Sequence, residues 1–157
     1  MSNLRDKAIE LINQYIKNEN LKKHLLATEA LMKALANKFG ENQEIWGLAG
    51  LLHDLDWEIT KHNHLQGLIP ETLLEKSLYS CEEITGLIVA VALVMPNKKL
   101  AEVTVEKIMS KFKEPSFARG VNREIIKKCE EMLNISVEEL AEICLKAMQE
   151  ISDQLGL

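Results

Sequence analysis

The stretch AGLLHDLDWE, residues 49–58, decides how the rest of the chain is read. Ile45, Trp46, Leu48, Ala49, Leu51 and Leu52 leave almost no polar side to a helix beginning near Asn42, which reads as central and buried. That helix ends on His53 and Asp54, two groups that are costly to bury without partners. Neighbouring side chains on a helix diverge by about 100°, yet they can meet at one point in a groove between two helices. An imidazole and a carboxylate meeting there suit a borderline divalent ion such as Mn, Fe, Co or Ni. The plainer alternative is a His–Asp hydrogen bond at a helix end, with the carboxylate in solvent.

On the N-terminal side, Leu4, Ala8, Leu11, Ile12, Tyr15 and Ile16 recur at helical spacing and predict an amphipathic helix ending near Asn18 or Asn20. Leu21, Leu25, Leu26, Ala30, Leu31, Ala34 and Leu35 predict a second, which runs to a cap at Gly40. His24 lies at the start of this helix, whose other polar residues face outward. On the C-terminal side the period fails over 59–70, where Lys61, His62, Asn63, His64, Gly67 and Pro70 read as a loop. Residues 71–95 resume as helix. The apolar run GLIVAVALVM within them would suit a buried strand by itself, but its length and the preceding Leu73, Leu74 and Leu78 spacing favour helix. Pro96-Asn97 ends it, and further helices are expected over 99–112, 122–133 and 136–154, the last opened by a capping box from Ser136 to Glu139. The fold class is therefore all-α, a single-domain helical bundle.

Composition agrees: at 157 residues, with 46% apolar and 27% charged residues and few Gly or Pro, the chain is neither disordered nor collagen-like. Cys81, Cys129 and Cys144 are odd in number and widely spaced, which suggests reduced thiols in a cytoplasmic protein. Cys81 lacks the activated base that a nucleophile needs and belongs in the core. The charged N-terminal segment is expected to be neither signal peptide nor anchor, and no run is apolar enough to span a bilayer, so no membrane partner is expected. A net charge of −5 argues against a nucleic-acid polymer as partner. Residues 96–128 nevertheless carry nine basic side chains against four acidic ones, a local source of positive charge. The apolar run over 86–95 fits either a homodimer contact or a buried central helix.

His24 within HLLATEALM, then LLHDLDWE, then the acidic residue ahead of the apolar helix in LEKSLYSCEEITGLIVA, resemble the HD-domain metal-dependent phosphohydrolases over nearly the whole chain. The later segment, ALVMPNKKLAEVTVEKIMSKFKEPSFARGVNREIIKKCEEML, is similar to the C-terminal part of a small bacterial and archaeal HD subgroup. The resemblance implies an HD-type bundle holding one divalent metal ion (Mn, Fe, Co, Ni or Mg) on His24, His53, Asp54 and Glu82. At position 82 the family pattern has Asp followed by Glu, so Glu82 is one methylene longer, and Glu83 is the neighbour able to replace it. The shortened 59–76 loop retains only His62 and His64 of the histidines that build a second metal site in relatives.

What the resemblance implies for function is hydrolysis of a small phosphate ester, such as a nucleotide, by metal-activated water. Asp54 would orient the water, and Asp56 and Glu58, within a turn of it, are candidate general acid or base groups. Lys113, Arg119 and Arg123 in KFKEPSFARGVNRE are the expected phosphate partners, Arg being suited to bidentate contact. The alternative is a degenerate HD domain that binds a ligand or partner without catalysis, to which Glu82 and the short loop both point.

Overall fold

Side-chain caps divide the chain into helices. The computed structural model describes residues 3–55 and 70–157. Asn3 opens α1 (Leu4–Tyr15) with a capping box: its side chain accepts from the Asp6 N–H at 2.9 Å, and the Asp6 carboxylate accepts from the Asn3 N–H at 3.3 Å. Asn18 caps α2 (Glu19–Phe39), which Gly40 ends in the left-handed region at φ 73°, where glycine has no Cβ to clash. Asn42 caps α3 (Gln43–Leu52), and Thr72 with Glu75 forms the box that opens α4 (Leu73–Leu93).

The remainder departs from the sequence expectation in detail. The helix expected over 99–112 is a 3-10 turn, Leu100–Glu102, followed by α5 (Val105–Phe112). Val103 and Thr104 are extended, and the Thr104 hydroxyl starts a new helix by accepting from the Lys107 N–H. Asn122 caps α6 (Arg123–Leu133), which closes on Asn134 at φ 55°. The helix expected over 136–154 breaks at Ile151 into α7 (Val137–Glu150) and a single turn, α8 (Ser152–Leu155). Only half of the Ser136 box forms: Ser136 accepts from the Glu139 N–H, while the Glu139 carboxylate pairs with Lys38 of α2.

Two hydrophobic clusters hold these helices. The larger gathers Leu31, Met32 and Leu35 of α2, Ile84, Leu87, Ile88 and Val91 of α4, and the buried sides of α5, α6 and α7. The smaller joins Ala8 and Ile12 of α1, Ile16, Leu25 of α2 and Leu51 of α3. Because α2 contributes to both, α2 and α4 are the central helices. The expectation that the helix before His53 is central is corrected: α3 lays Trp46, Gly47, Gly50 and Leu51 inward, while Ile45 is 59% exposed. Its near-continuous apolar character reflects contact with α1 on one side and α2 on another. The run over 86–95 is helical as far as Leu93, two residues short of the expected end, and no described helix is long and apolar enough to cross a membrane.

One buried charge also ties α1 to α2. Glu29, 4% exposed, accepts from Arg5 Nε at 2.7 Å and Nη2 at 3.0 Å and pairs with Lys33. Burial pushes its carboxyl up, but the bonds from Arg5 and Lys33 outweigh that and hold it below 4.5. A carboxylate depressed in the folded state stabilises above its unfolded pKa, and that contribution is lost as pH falls through the folded value. Glu29→Gln is therefore expected to lower stability by about 1.5–3 kcal/mol at neutral pH, the usual worth of hydrogen bonds to charged groups. Urea unfolding of the two proteins should converge as pH drops below about 4.5, the ordinary value of a Glu carboxyl.

Candidate metal centre

The closest approach of α2 and α3 sets the site. At Gly50 the missing side chain lets α3 sit against Thr28 of α2, where a Cβ would stand 2.8 Å from the Thr28 carbonyl oxygen. The helices run antiparallel, so one turn back from Thr28 and one turn on from Gly50 lead to the same end of the pair. There His24 and His53 meet, with Nε2 atoms 3.3 Å apart. The Oδ2 of Asp54 lies 3.4 Å from His53 Nε2 and 4.0 Å from His24 Nε2. From α4, Glu82 brings Oε2 to 3.1 Å from His53 Nε2.

The outer nitrogens fix the tautomers. His53 Nδ1 lies 2.8 Å from the Gly50 carbonyl oxygen, which can only accept, so Nδ1 carries the proton. The Thr85 hydroxyl donates to the Glu82 carbonyl at 2.7 Å, so its oxygen accepts from His24 Nδ1–H at 3.2 Å. Both Nε2 atoms then present lone pairs to one another, with carboxylate oxygens alongside. Such a set repels itself unless a cation sits among it. Burial disfavours the imidazolium of His53, but the Glu82 hydrogen bond and the charges of Asp54 and Glu82 outweigh it and raise its pKa above the usual imidazole value.

The arrangement fits a metal ion by the same logic. His24, His53 and Asp54 each offer an atom, all within 4.8 Å of one another. Two nitrogens about 2.1 Å from one ion can be at most about 4.2 Å apart, and the observed 3.3 Å is within that limit. Protonated Nδ1 atoms held by Thr85 and the Gly50 carbonyl are the outer partners that metal-binding histidines need. Asp54 is 6% exposed and the His24 side chain 30%, so the centre is closed below and opens beside His24. Three groups that could hold a metal ion thus converge where α2 begins and α3 ends. A family model for the HD domain matches residues 21–151. The chain belongs to the HD-domain family. HD domains are generally metal-dependent hydrolases, and His24, His53 and Asp54 of this member could hold the ion. No curated protein and no solved structure matches the chain.

The other predicted site residues fare differently. Glu82 touches His53 without being one of the three, and Glu83, the suggested substitute, accepts from the Asn122 N–H at 3.2 Å and so faces the start of α6. Asp56, Glu58, His62 and His64 lie outside the described residues. Lys113 and Arg119 are exposed on the loop between α5 and α6, whose far end packs on α4 through Asn122–Glu83. Arg123 is a correction. Its Nε donates to the Phe112 carbonyl at 2.8 Å, Nη2 to Phe117 at 2.6 Å and Glu114 at 3.0 Å, with longer bonds to Lys111 and Val121. The guanidinium therefore clasps this loop rather than reaching for phosphate. Arg123→Ala is expected to cost about 3 kcal/mol in urea unfolding, as loss of a connected hydrogen-bond network does. Arg123→Lys should recover little, since an ammonium cannot reproduce the planar fork.

Cys81, Cys129 and Cys144 are free and buried, and burial pushes the Cys81 thiol up to about 12, so it stays protonated core. The sequence reading missed Thr85 and Gly50. Gly47 and Gly50, three apart on one helix, were the available sign of a close helix approach.

Proposed function

We propose that the chain is a divalent-metal-dependent phosphohydrolase acting on a small phosphate ester. The supporting observation is the pair of Nε2 lone pairs, fixed by Thr85 and Gly50, converging beside the Asp54 carboxylate. His24, His53 and Asp54 would hold the ion, with Glu82, beside His53, offering a second carboxylate as a fourth ligand. A bound divalent ion supplies Lewis acidity, drawing charge from a phosphoryl oxygen and making water acidic enough to attack at neutral pH.

The protein's own residues do the remaining work. Thr85 and the Gly50 carbonyl hold the Nδ1 side of each ring and keep both Nε2 atoms aimed inward. Asp54, almost fully buried beside His53, is placed to orient a water by accepting a hydrogen bond from it. Asp56 and Glu58 remain the candidate groups for protonating the leaving oxygen, and Lys113 and Arg119 the candidates for outer phosphate oxygens. The three free thiols fit a reducing compartment, the cytoplasm.

The test is metal analysis of protein purified without chelator, then a phosphatase and nucleotidase panel with Mn, Co, Ni or Mg added. Metal uptake with turnover is expected. A protein with neither overturns the proposal, and metal without turnover, with activity gained by Glu82→Asp, selects the ligand-binding alternative.

A further inference from the structure

We propose that the cleft between α2 and α4 receives a hydrophobic organic group, so that the substrate is the phosphate ester of an apolar alcohol or phenol rather than a nucleotide. This deepens the hydrolytic reading and rests on it. A cavity of about 360 Å³ begins at His24 and Thr85 and is walled by Ala27, Val89, Leu93 and Leu155. His24 belongs to both cavity and metal centre, so a group lodged in the cleft is one imidazole ring away from the converging ligands. The volume lies within the roughly 300–1,000 Å³ of small-molecule sites.

The wall chemistry selects the occupant. Ala27, Val89, Leu93 and Leu155 offer hydrocarbon only, and the Thr85 hydroxyl is already used in both directions, donating to Glu82 and accepting from His24. A ribose or a hydrogen-bonding base edge would leave its polar groups without partners here, which costs far more than an apolar group does. Leu93, 49% exposed, and Val89 are apolar side chains on the one face of α4 that the cleft occupies. Lys23 and Asn20 are the polar residues at the rim. Lys23 is next to His24 in the chain, exposed, and without an ion pair among the described residues. Its Nζ lies 3.2 Å from where a Cβ on Gly156 would stand, so it borders the mouth. The larger cleft on another face of α2, about 670 Å³, has its Arg5 and Lys33 committed to Glu29 and contains none of the three metal-site residues.

The experiment has two arms. In the first, 1-naphthol is titrated into metal-free protein and followed by methyl chemical shifts. Shifts at Ala27, Val89 and Leu93 are expected, and Val89→Trp, which fills the cleft, should abolish them. In the second, metal-supplemented protein is given 1-naphthyl phosphate, glycerol 2-phosphate and adenosine monophosphate. The naphthyl ester should lead in kcat/KM by about tenfold or more, and Val89→Trp should cancel that lead. Gly86→Leu is the second variant should Val89→Trp melt early: Gly86 also lines the cleft and is an exposed helical position where an added Cβ meets only Val121, at 3.7 Å. Naphthol that leaves these methyls unmoved, or a nucleotide preference that neither variant alters, overturns the inference. Naphthol bound at Val89 by a protein that hydrolyses no ester instead defeats the hydrolytic reading and leaves the cleft assigned.

Discussion

His53→Ala is expected to lower affinity for Mn or Co by on the order of 100-fold or more and to leave no measurable phosphatase turnover, because it removes the nitrogen that every other group at the centre faces. Isothermal titration would read the affinity directly. The sharper comparison is Thr85, which offers the metal nothing. Its hydroxyl accepts from His24 Nδ1–H while donating to the Glu82 carbonyl. Thr85→Val therefore frees the His24 ring to turn and removes the reason its Nε2 is unprotonated. Loss of such an outer partner typically costs about 10–100-fold in metal affinity, and Thr85→Ser, which keeps the hydroxyl, should restore most of it. If Val and Ser variants bind metal equally well, the hydrogen bond does not set the tautomer and the centre is not built as described.

How far the sequence disclosed this centre depends on the kind of signal. Helical periods and caps are local, so Asn18, Gly40 and Asn42 mark real ends, and the apolar run from Gly86 was assigned to helix as the structure has it through Leu93. Where a helix stops inside an amphipathic stretch, as at Thr104 or Ile151, the pattern continues across the break and hides it. Burial was harder to judge: α3 is as apolar as a central helix, yet it has α1 and α2 as neighbours and leaves Ile45 outside. His53 and Asp54 drew notice as costly polar groups after an apolar helix, but it was the resemblance to HD domains that joined His24 to them. Arg123 was misread for the opposite reason. A basic residue in a basic segment looks like a ligand contact, and nothing local reveals that five main-chain carbonyls turn towards it. Thr85 gave no sign of its role, which a neighbouring helix sets, and Gly50 gave only its spacing from Gly47.

Gly50 carries the second large effect. A methyl group there would stand 2.8 Å from the Thr28 carbonyl oxygen, 2.9 Å from Met32 Cγ and 3.0 Å from the Thr28 carbonyl carbon. Two of those atoms are main chain of α2 and cannot swing aside, so Gly50→Ala must push the helices apart. Overpacking of this kind costs about 1–3 kcal/mol, more than the roughly 1 kcal/mol that alanine gains over glycine in a helix. Gly47 is the control within the same helix. An added Cβ there meets only the Lys33 side chain, as near as 2.5 Å, and that chain is 37% exposed and able to move. Gly47→Ala should thus stay within about 1 kcal/mol of the parent, its helix gain offset by a loosened Lys33–Glu29 pair. Function should separate the two further. The Gly50 carbonyl anchors His53 Nδ1, and the Thr28–Gly50 contact sets the height at which His24 and His53 face each other. Gly50→Ala should therefore lower metal affinity about tenfold or more even in the molecules that remain folded, as a disturbed outer partner does, whereas Gly47→Ala should bind metal as the parent does. Equal melting curves and equal metal titrations for the two variants would show that the helix approach at Gly50 does not position the centre.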